Sequence, residues 1–300
     1  MRYLYYPGCC CALKATGKAY EESLLAVFKA LEVPLEELPD WNCCGATAYM
    51  SIDEMKAFAL AARNLALAQR EAETHMLEEA HLVAPCSACF LVLTKAQRYL
   101  EEYPAVSERI TKALEAAGLR YTNTVRVRHP LDVLVNDIGL EAIRERVKRP
   151  LEGLKVACYY GCQTVRPYGF DDLTNPTTMD RLVEALGAEA VDWPLKARCC
   201  GGTHMGTIEE VGMRLSYILL NEAHKRGADV MATACPLCEC NLECFQRQIL
   251  KRYGDIGELP AVFFTQLVGL ALGLSERELG LQRLLVPLRP VIEAKVAVGG

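Results

Sequence analysis

Three hundred residues, 51% hydrophobic and 24% charged, suffice for one large domain or two smaller ones. A net charge of −5 with a pI near 5.7 weighs against a nucleic-acid partner, which calls for a basic face. Fifteen cysteines are too few for a small disulfide scaffold and too many for an ordinary cytosolic enzyme. Residues 1–6 lack the apolar run of a signal peptide, and no stretch approaches the roughly 18 apolar residues of a membrane-spanning helix. The longest candidate, residues 263–274, is interrupted by Thr265 and Gln266. These features predict a cytoplasmic, reducing setting in which cysteine serves metal binding rather than disulfides.

In chain order, residues 2–6 read as a strand entering Pro7-Gly8-Cys9, followed by a helix with apolar positions Leu24, Val27, Phe28 and Leu31. Asp40-Trp41 then precedes Cys43-Cys44-Gly45. The spacing predicts a long amphipathic helix over 52–80, a short strand over 81–84 and a Cys-x-x-Cys, Cys86 and Cys89. A strand-to-helix element over 125–138 and a charged helix over 141–148 close this half. The same order returns: a strand over 154–160 into Gly161-Cys162, a helix with Met179, Leu182, Val183 and Leu186, Asp192-Trp193, Cys199-Cys200-Gly201, a helix over 208–226, and a strand into Cys235 and Cys238. Residues 262–272 close it. Such self-similarity marks a duplication, with units expected at 1–149 and 150–300. Alternating strands and helices predict two parallel α/β domains packed as a pseudo-two-fold pair. Each cysteine group follows a strand, where open α/β sheets hold ligands, and the Cys-x-x-Cys pairs fall at helix N-termini, which favour thiolate charge.

The repeated set is Cys9, Cys43, Cys44, Cys86 and Cys89, then Cys162, Cys199, Cys200, Cys235 and Cys238. A structural zinc site takes four ligands, usually from two Cys-x-x-Cys-like pairs. Here each half has one such pair, an adjacent Cys-Cys and a lone cysteine, which suits neighbouring irons better than one zinc. A cubane also takes four cysteines, so five per half points to a cluster with an additional or bridging thiolate; a cubane with one bystander is the plainer alternative. Cys10 and Cys11 adjoin Cys9, and either is an alternative ligand; Cys9 is preferred because it shares the Gly-Cys context of Cys162. Cys158, Cys240 and Cys244 are expected to be small buried hydrophobes. No ferredoxin-type cysteine run, phosphate loop or dinucleotide fingerprint is present, so electrons are expected from a partner.

The doubled order of Cys, Cys-Cys-Gly and Cys-x-x-Cys resembles the CCG-domain family, and within it the heterodisulfide reductase B subunits. The resemblance spans residues 1–285 and includes Tyr6-Pro7-Gly8-Cys9, residues 60–65, Val127-Arg128-His129 and Asn136-Asp137-Ile138-Gly139. It implies two noncubane [4Fe-4S] clusters, each held by the five repeated cysteines of its half. It further implies disulfide chemistry with a small-molecule thiol or disulfide, and as partners a ferredoxin-like iron–sulfur subunit and a flavin-containing subunit. Tyr159, Gln163 and the Cys10-Cys11 pair depart from the family pattern beside the expected cavity, which leaves the sulfur substrate open.

Lys14, His129, Arg166, Arg198 and His204 lie near motif cysteines in sequence, as solvated charge or as a cationic wall for an anionic thiol. His204 is the strongest candidate because it closely follows Cys199-Cys200-Gly201-Gly202. Tyr5, Tyr6, Tyr159 and Tyr160 read as core. The apolar tail, residues 281–298, is broken by Pro287 and Pro290 and is expected to dock on a partner, lie peripherally on a membrane or complete the core. Three functions compete: an oxidoreductase subunit acting on sulfur groups, an electron-transfer or membrane-docking subunit of a succinate/fumarate-type redox complex, and a zinc-stabilised module.

Overall fold

The computed structural model describes residues 2–12, 17–46, 48–254 and 256–296. Its first sheet is parallel, with β1 (Tyr3–Tyr5), β2 (Leu35–Glu37), β3 (Ala80–Val83) and β4 (Val125–Arg128) in the order β2-β1-β3-β4. The second repeats it with β5 (Lys155–Tyr159), β6 (Glu189–Ala190), β7 (Val230–Thr233) and β8 (Ala261–Phe263), ordered β6-β5-β7-β8. The chain leaves β1 for one side and returns on the other at β3, so the crevice between the carboxyl ends of β1 and β3 is a topological switch point. The ends of β5 and β7 form its counterpart.

Both faces of each sheet are covered, as parallel sheets require. Along β1, Tyr3 and Tyr5 enter one core, while Leu4 and the following Tyr6 enter another; along β5, Val156 and Cys158 alternate with Ala157 and Tyr159 in the same way. The core shared by Tyr3, Tyr5, Val156 and Cys158 lies between the two sheets. There the helix Lys18–Ala30 of the first half packs on Phe264–Ala271 of the second, and Thr178–Ala185 of the second packs on Leu140–Glu145 of the first. Each half thus places its first long helix on the other's closing helix, which makes the pair pseudo-two-fold. Tyr20 stacks on Phe263 with ring centroids 4.4 Å apart, and Ser23 and Thr265 share a 2.7 Å hydroxyl hydrogen bond. Helices Glu54–Thr74, Ser87–Glu102 and Pro104–Ala116 cover the outer face of the first sheet; Glu209–Lys225, Pro236–Glu243 and Gln246–Tyr253 cover that of the second.

The helix expected over 52–80 is two helices, Ala48–Ile52 and Glu54–Thr74, and it stops short. Asp53 interrupts it because its carboxylate accepts from the Lys56 N–H as an N-cap. At the far end Met76 takes a left-handed φ of +55°, and Ala80 already belongs to β3. The tail completes the core rather than projecting from it. Leu288, Ile292 and Val296 are buried between the sheets, and Pro290 sits in the first turn of Arg289–Lys295, where its missing N–H costs no hydrogen bond. Residues 297 and 298 lie outside the described residues. Among the described residues no helix is long and apolar enough to cross a membrane.

The end of β4 is tied down by a buried cation. Arg128, 3% exposed, pairs with Asp132 and forks onto both Asp137 oxygens at 2.7 and 2.9 Å, while the Tyr3 hydroxyl donates to Asp137 at 2.8 Å. Removing one member of such a network leaves buried charge uncompensated. Arg128→Ala is therefore expected to lower unfolding stability by about 3 kcal/mol in urea titrations; a midpoint equal to wild type would show that the network contributes nothing.

Candidate metal centre

Every thiol of the repeated set is delivered at the carboxyl edge of a sheet. After β1, Gly8 turns with φ +64° into the short helix Gly8–Ala12 carrying Cys9; after β5, Gly161 turns with φ +72° into Cys162–Val165. A Cβ at either glycine would lie 3.2 Å from a sulfur, Cys89 Sγ in the first half and Cys238 Sγ in the second. Glycine alone tolerates that angle together with that approach. After β3 and β7, Cys86 and Cys235 are the N-caps of Ser87–Glu102 and Pro236–Glu243. Both Cys-x-x-Cys pairs therefore face the unpaired N–H groups and positive dipole end of a helix.

The Cys-Cys-Gly segments are held from below by matching contacts. Tyr6 donates its hydroxyl to the carbonyl of Asn42 at 2.8 Å, and Tyr159 donates to that of Arg198 at 2.7 Å, in each case the residue before the Cys-Cys. Their rings lie against Trp41 and Trp193 at 5.7 and 6.1 Å. Four backbone N–H groups donate to sulfur: Gly45 to Cys43 at 3.4 Å, Ala46 to Cys44 at 3.5 Å, and Gly201 and Gly202 to Cys199 and Cys200 at 3.4 Å each.

These supports line the thiols up. In the first half the thiols of Cys44 and Cys89 share a hydrogen bond at 3.2 Å, with Cys9, Cys43 and Cys86 as their neighbours. In the second Cys200 and Cys238 share one at 3.4 Å, with Cys162, Cys199 and Cys235 as their neighbours. Cys86 then meets Cys235 across the halves. The ten thiols thus gather in two matching groups of five that meet at Cys86 and Cys235. Their neighbours polarise the members: Cys43 and then Cys89 hold Cys44 down to about 4, and Cys162 and Cys200 hold Cys199 down to about 2. Cys235 is pushed well below the usual thiol range by Cys238 and Cys86, while Cys86, Cys89 and Cys238 are pushed up.

The remaining cysteines fall outside the symmetry. Cys10 neighbours Cys86 at the junction, and the buried Cys11 neighbours the Tyr5 hydroxyl, with burial pushing its thiol up to about 12. Cys158 is buried between the sheets, as expected. Cys240 and Cys244 correct the expectation for them: Cys240 is only half-buried and Cys244 is exposed. They stand one turn apart at the carboxyl end of an outer helix, the Cys244 N–H donating to the Cys240 carbonyl at 2.9 Å.

Of the four cationic candidates among the described residues, His204 alone reaches the site's cavity. His129 is fully buried and belongs to the scaffold. Its Nδ1 accepts from the Leu131 N–H at 3.2 Å, so Nε2 carries the proton, donating to the carbonyls of Pro85 (3.2 Å) and Ala234 (3.1 Å). Those residues precede Cys86 and Cys235, and one imidazole thus clasps both Cys-x-x-Cys loops. Arg166 is spent on the carbonyl of Ala197, Arg198 is exposed, and Lys14 lies outside the described residues.

A cavity of about 280 Å³ opens onto the second half's thiols. Cys162, Cys199, Cys200, Cys235 and Cys238 line it, joined by Gln163, His204 and Leu237 and, from the first half, Met50, Ser51 and Ser87. Met50, Ser51, Ser87 and Leu237 were not singled out by sequence. Ser87 and Leu237 sit inside the Cys-x-x-Cys pairs and could have been flagged there; Met50 and Ser51 carry no such signal. Ser87 also hydrogen-bonds Thr164 at 2.6 Å and the carbonyl of Ala234 at 3.2 Å, stitching the halves together beneath the cavity. Among the described residues no three Cys, His, Asp or Glu side chains are grouped to hold a single metal ion. The donor set is sulfur throughout, the chemistry of soft metals and iron–sulfur clusters.

Fold and site together define a duplicated, cysteine-rich parallel α/β protein with its thiols gathered at adjoining sheet edges. The CCG family model, described as a cysteine-rich domain, matches residues 3–94 and 156–243, and the chain belongs to that family. The membrane anchor subunit of 8-methylmenaquinol:fumarate reductase from Wolinella succinogenes is 33% identical over 282 residues, 93% of this chain and 95% of that one. The B subunit of ferredoxin:CoB-CoM heterodisulfide reductase from Methanosarcina mazei is 31% identical over 270 residues, 88% of this chain and 87% of that one. A protein of Archaeoglobus profundus, named as being like the heterodisulfide reductase B subunit, is 30% identical over 275 residues, 88% of each. The crystal structure of a hypothetical protein from Helicobacter pylori shares the fold, with a TM-score of 0.73 at 15% identity. That match covers 95% of this chain but only 52% of the other, so this chain spans about half its length.

Burial holds His129 down to about 4, against about 6.5 for an exposed imidazole. The unfolded chain therefore binds a proton that the folded one refuses between these values. Stability is unaffected by this residue above about pH 6.5 and falls as pH drops toward 4, by about 3 kcal/mol in total. His129→Gln, which does not titrate, is expected to flatten that part of the pH dependence of the urea midpoint; parallel curves would contradict it. Tyr6→Phe and Tyr159→Phe each remove one hydrogen bond beneath a Cys-Cys, and each is expected to cost about 1 kcal/mol by the same assay.

Proposed function

We propose that this chain is the iron–sulfur subunit of a heterodisulfide-reductase-like complex, an oxidoreductase component that interconverts a disulfide and its two thiols. The observation that carries the reading is the gathering of ten thiols, five from each half, with those of the second half lining a cavity of small-molecule size. Residues 1–149 and 150–300 form the two duplicated units. Cys9, Cys43, Cys44, Cys86 and Cys89 hold one noncubane [4Fe-4S] cluster, and Cys162, Cys199, Cys200, Cys235 and Cys238 hold the other. When bound, the pair supplies the two electrons that a disulfide takes up on cleavage to two thiolates.

The protein's own part is binding, charge compensation and exclusion of water. The N–H groups of Gly45, Ala46, Gly201 and Gly202 and the two helix N-termini offset thiolate charge, which hydrogen bonds to sulfur stabilise. Met50 and Leu237 supply apolar wall to the cavity, Gln163 supplies an amide, and His204 is the cationic or proton-donating candidate for the thiolate that leaves. His129, neutral and buried, fixes the separation of the two Cys-x-x-Cys loops. A ferredoxin-like iron–sulfur subunit and a flavin-containing subunit are the partners this reading requires for electron supply.

The 33% identity to a fumarate reductase subunit favours one alternative, an electron-transfer or membrane-docking subunit of a succinate/fumarate-type complex. Its other motive, a free apolar tail, is removed by the burial of Leu288, Ile292 and Val296. Liposome flotation and quinone reduction separate the two readings.

The deciding experiment is anaerobic purification with iron and acid-labile sulfide analysis, then EPR before and after candidate thiols. The expected result is about eight irons per chain and a signal that changes with thiol. Cys200→Ser is expected to reduce iron to about half, sparing the first cluster. Zinc in place of iron would overturn the reading, and iron with spectra indifferent to every thiol and disulfide turnover would transfer weight to the alternative.

A further inference from the structure

Two cysteines stand outside both the repeat and the cavity. Cys244 is exposed and Cys240 half-buried, four residues apart where the helix Pro236–Glu243 ends. The helical period turns both away from the ten-cysteine site. Cys238, two residues before Cys240, lines the cavity, and Asn241 reaches the Gly202 carbonyl at 2.9 Å on that same side. A third side is taken by Glu243, whose carboxylate accepts from the N–H groups of Leu285 and Val286 at 2.8 and 3.2 Å. Superposing the two Cys-x-x-Cys pairs puts Leu91 and Lys95 at the corresponding places of the first half, inside Ser87–Glu102, which runs on unbroken. In the second half the helix stops at the pair and Gln246–Tyr253 starts afresh. A dithiol therefore sits where a helix ends, in one half only.

We infer that Cys240 and Cys244 form a second thiol–disulfide site, a surface dithiol that reduces low-molecular-weight disulfides and is closed by them into an intrahelical disulfide. Cys244, the more exposed, attacks as thiolate one sulfur of the small disulfide, whose S–S bond breaks and releases a first thiolate. The Cys240 thiolate then attacks the Cys244 sulfur, and the mixed bond breaks to release the second. The two protons of the pair go to the two departing thiolates, and the pair's two electrons reduce the small disulfide. Four residues of helix set the Cα atoms about 6 Å apart, within the range a disulfide spans, but leave the Cβ atoms about 5–6 Å apart where about 3.5–4.5 Å is needed. The last turn must tighten, and here it can. Cys244 is the C-cap, tied back by its N–H to the Cys240 carbonyl, and helix ends yield where helix middles do not. A bond closed against helix geometry is also readily reduced, so excess thiol restores the pair. The site needs neither iron–sulfur cluster and goes beyond the function proposed above.

The test exposes the full chain, purified without oxygen, to glutathione disulfide at about pH 8.5, near the ordinary thiol pKa. The reaction is quenched in acid and free thiols are alkylated. Cleavage after Glu239 and Glu243 then puts Cys240 and Cys244 on separate peptides, apart from Cys235 and Cys238. Mass spectrometry of wild type is expected to show those two peptides joined, with the loss of two alkylatable thiols, unchanged iron content and recovery of both thiols with excess glutathione. Cys240→Ser removes the resolving thiol and is expected to accumulate glutathione on Cys244. Cys244→Ser removes the attacking thiol and is expected to leave Cys240 alkylatable over the same interval. Peptides that stay separate in wild type, or glutathione that persists on Cys244 equally in wild type and Cys240→Ser, would overturn the inference, as would a Cys244 bond between two chains. None of these outcomes bears on the clusters, whose iron and sulfide are assayed independently.

Discussion

The two Cys-x-x-Cys loops meet because two parallel sheets each release their loops at one edge and the helices between them bring those edges together. Parallel strands all point the same way, so every βα turn of a half lands on the same side. The crossed packing of Lys18–Ala30 on Phe264–Ala271 and of Thr178–Ala185 on Leu140–Glu145 then sets the two sides against each other. Cys86 touching Cys235 is the consequence, and the supports around it are drawn from both halves: His129 reaching two carbonyls, and Ser87 bonded to Thr164 and Ala234. The cysteine site is thereby one structure with two lobes.

So many thiols could not be buried side by side without polar compensation. Sulfur is a weak partner, and a thiolate away from water needs donors. The backbone provides them at fixed places, through the turn after each Cys-Cys, while each Cys-x-x-Cys sits at the positive dipole end of a helix. Glycine at positions 8 and 161 removes the Cβ that would otherwise contact Cys89 or Cys238 sulfur. Tyr6 and Tyr159 hold the same carbonyl in each half from beneath, so the repeat extends to its scaffold as well as to its ligand types.

Symmetry breaks where function is expected to differ. The residue after β4 is His129, and the one after β8 is Phe264; between them they give one polar clasp and one aromatic wall at the junction. Cys10 occupies the position whose counterpart is Gln163, a cavity-lining residue. Met50 and Ser51 of the first half roof the second half's thiols. A duplicated site that is equal in its cysteines is thus unequal in its surroundings.

The linear order of residues was sufficient for the parallel α/β class, the duplication and the ten repeated cysteines. Strand-then-cysteine, Cys-Cys-Gly and Cys-x-x-Cys are local patterns, and each reflects a turn or helix start within a few residues. Local reading also erred locally: it ran one helix through Asp53, whose carboxylate caps a new one, and it buried Cys244, which the end of an outer helix exposes. What sequence could not reach depends on distance along the chain. Whether Cys86 adjoins Cys235, whether His129 is a charged wall or a neutral clasp, and whether the apolar tail is free or packed are decided by contacts between residues a hundred or more positions apart.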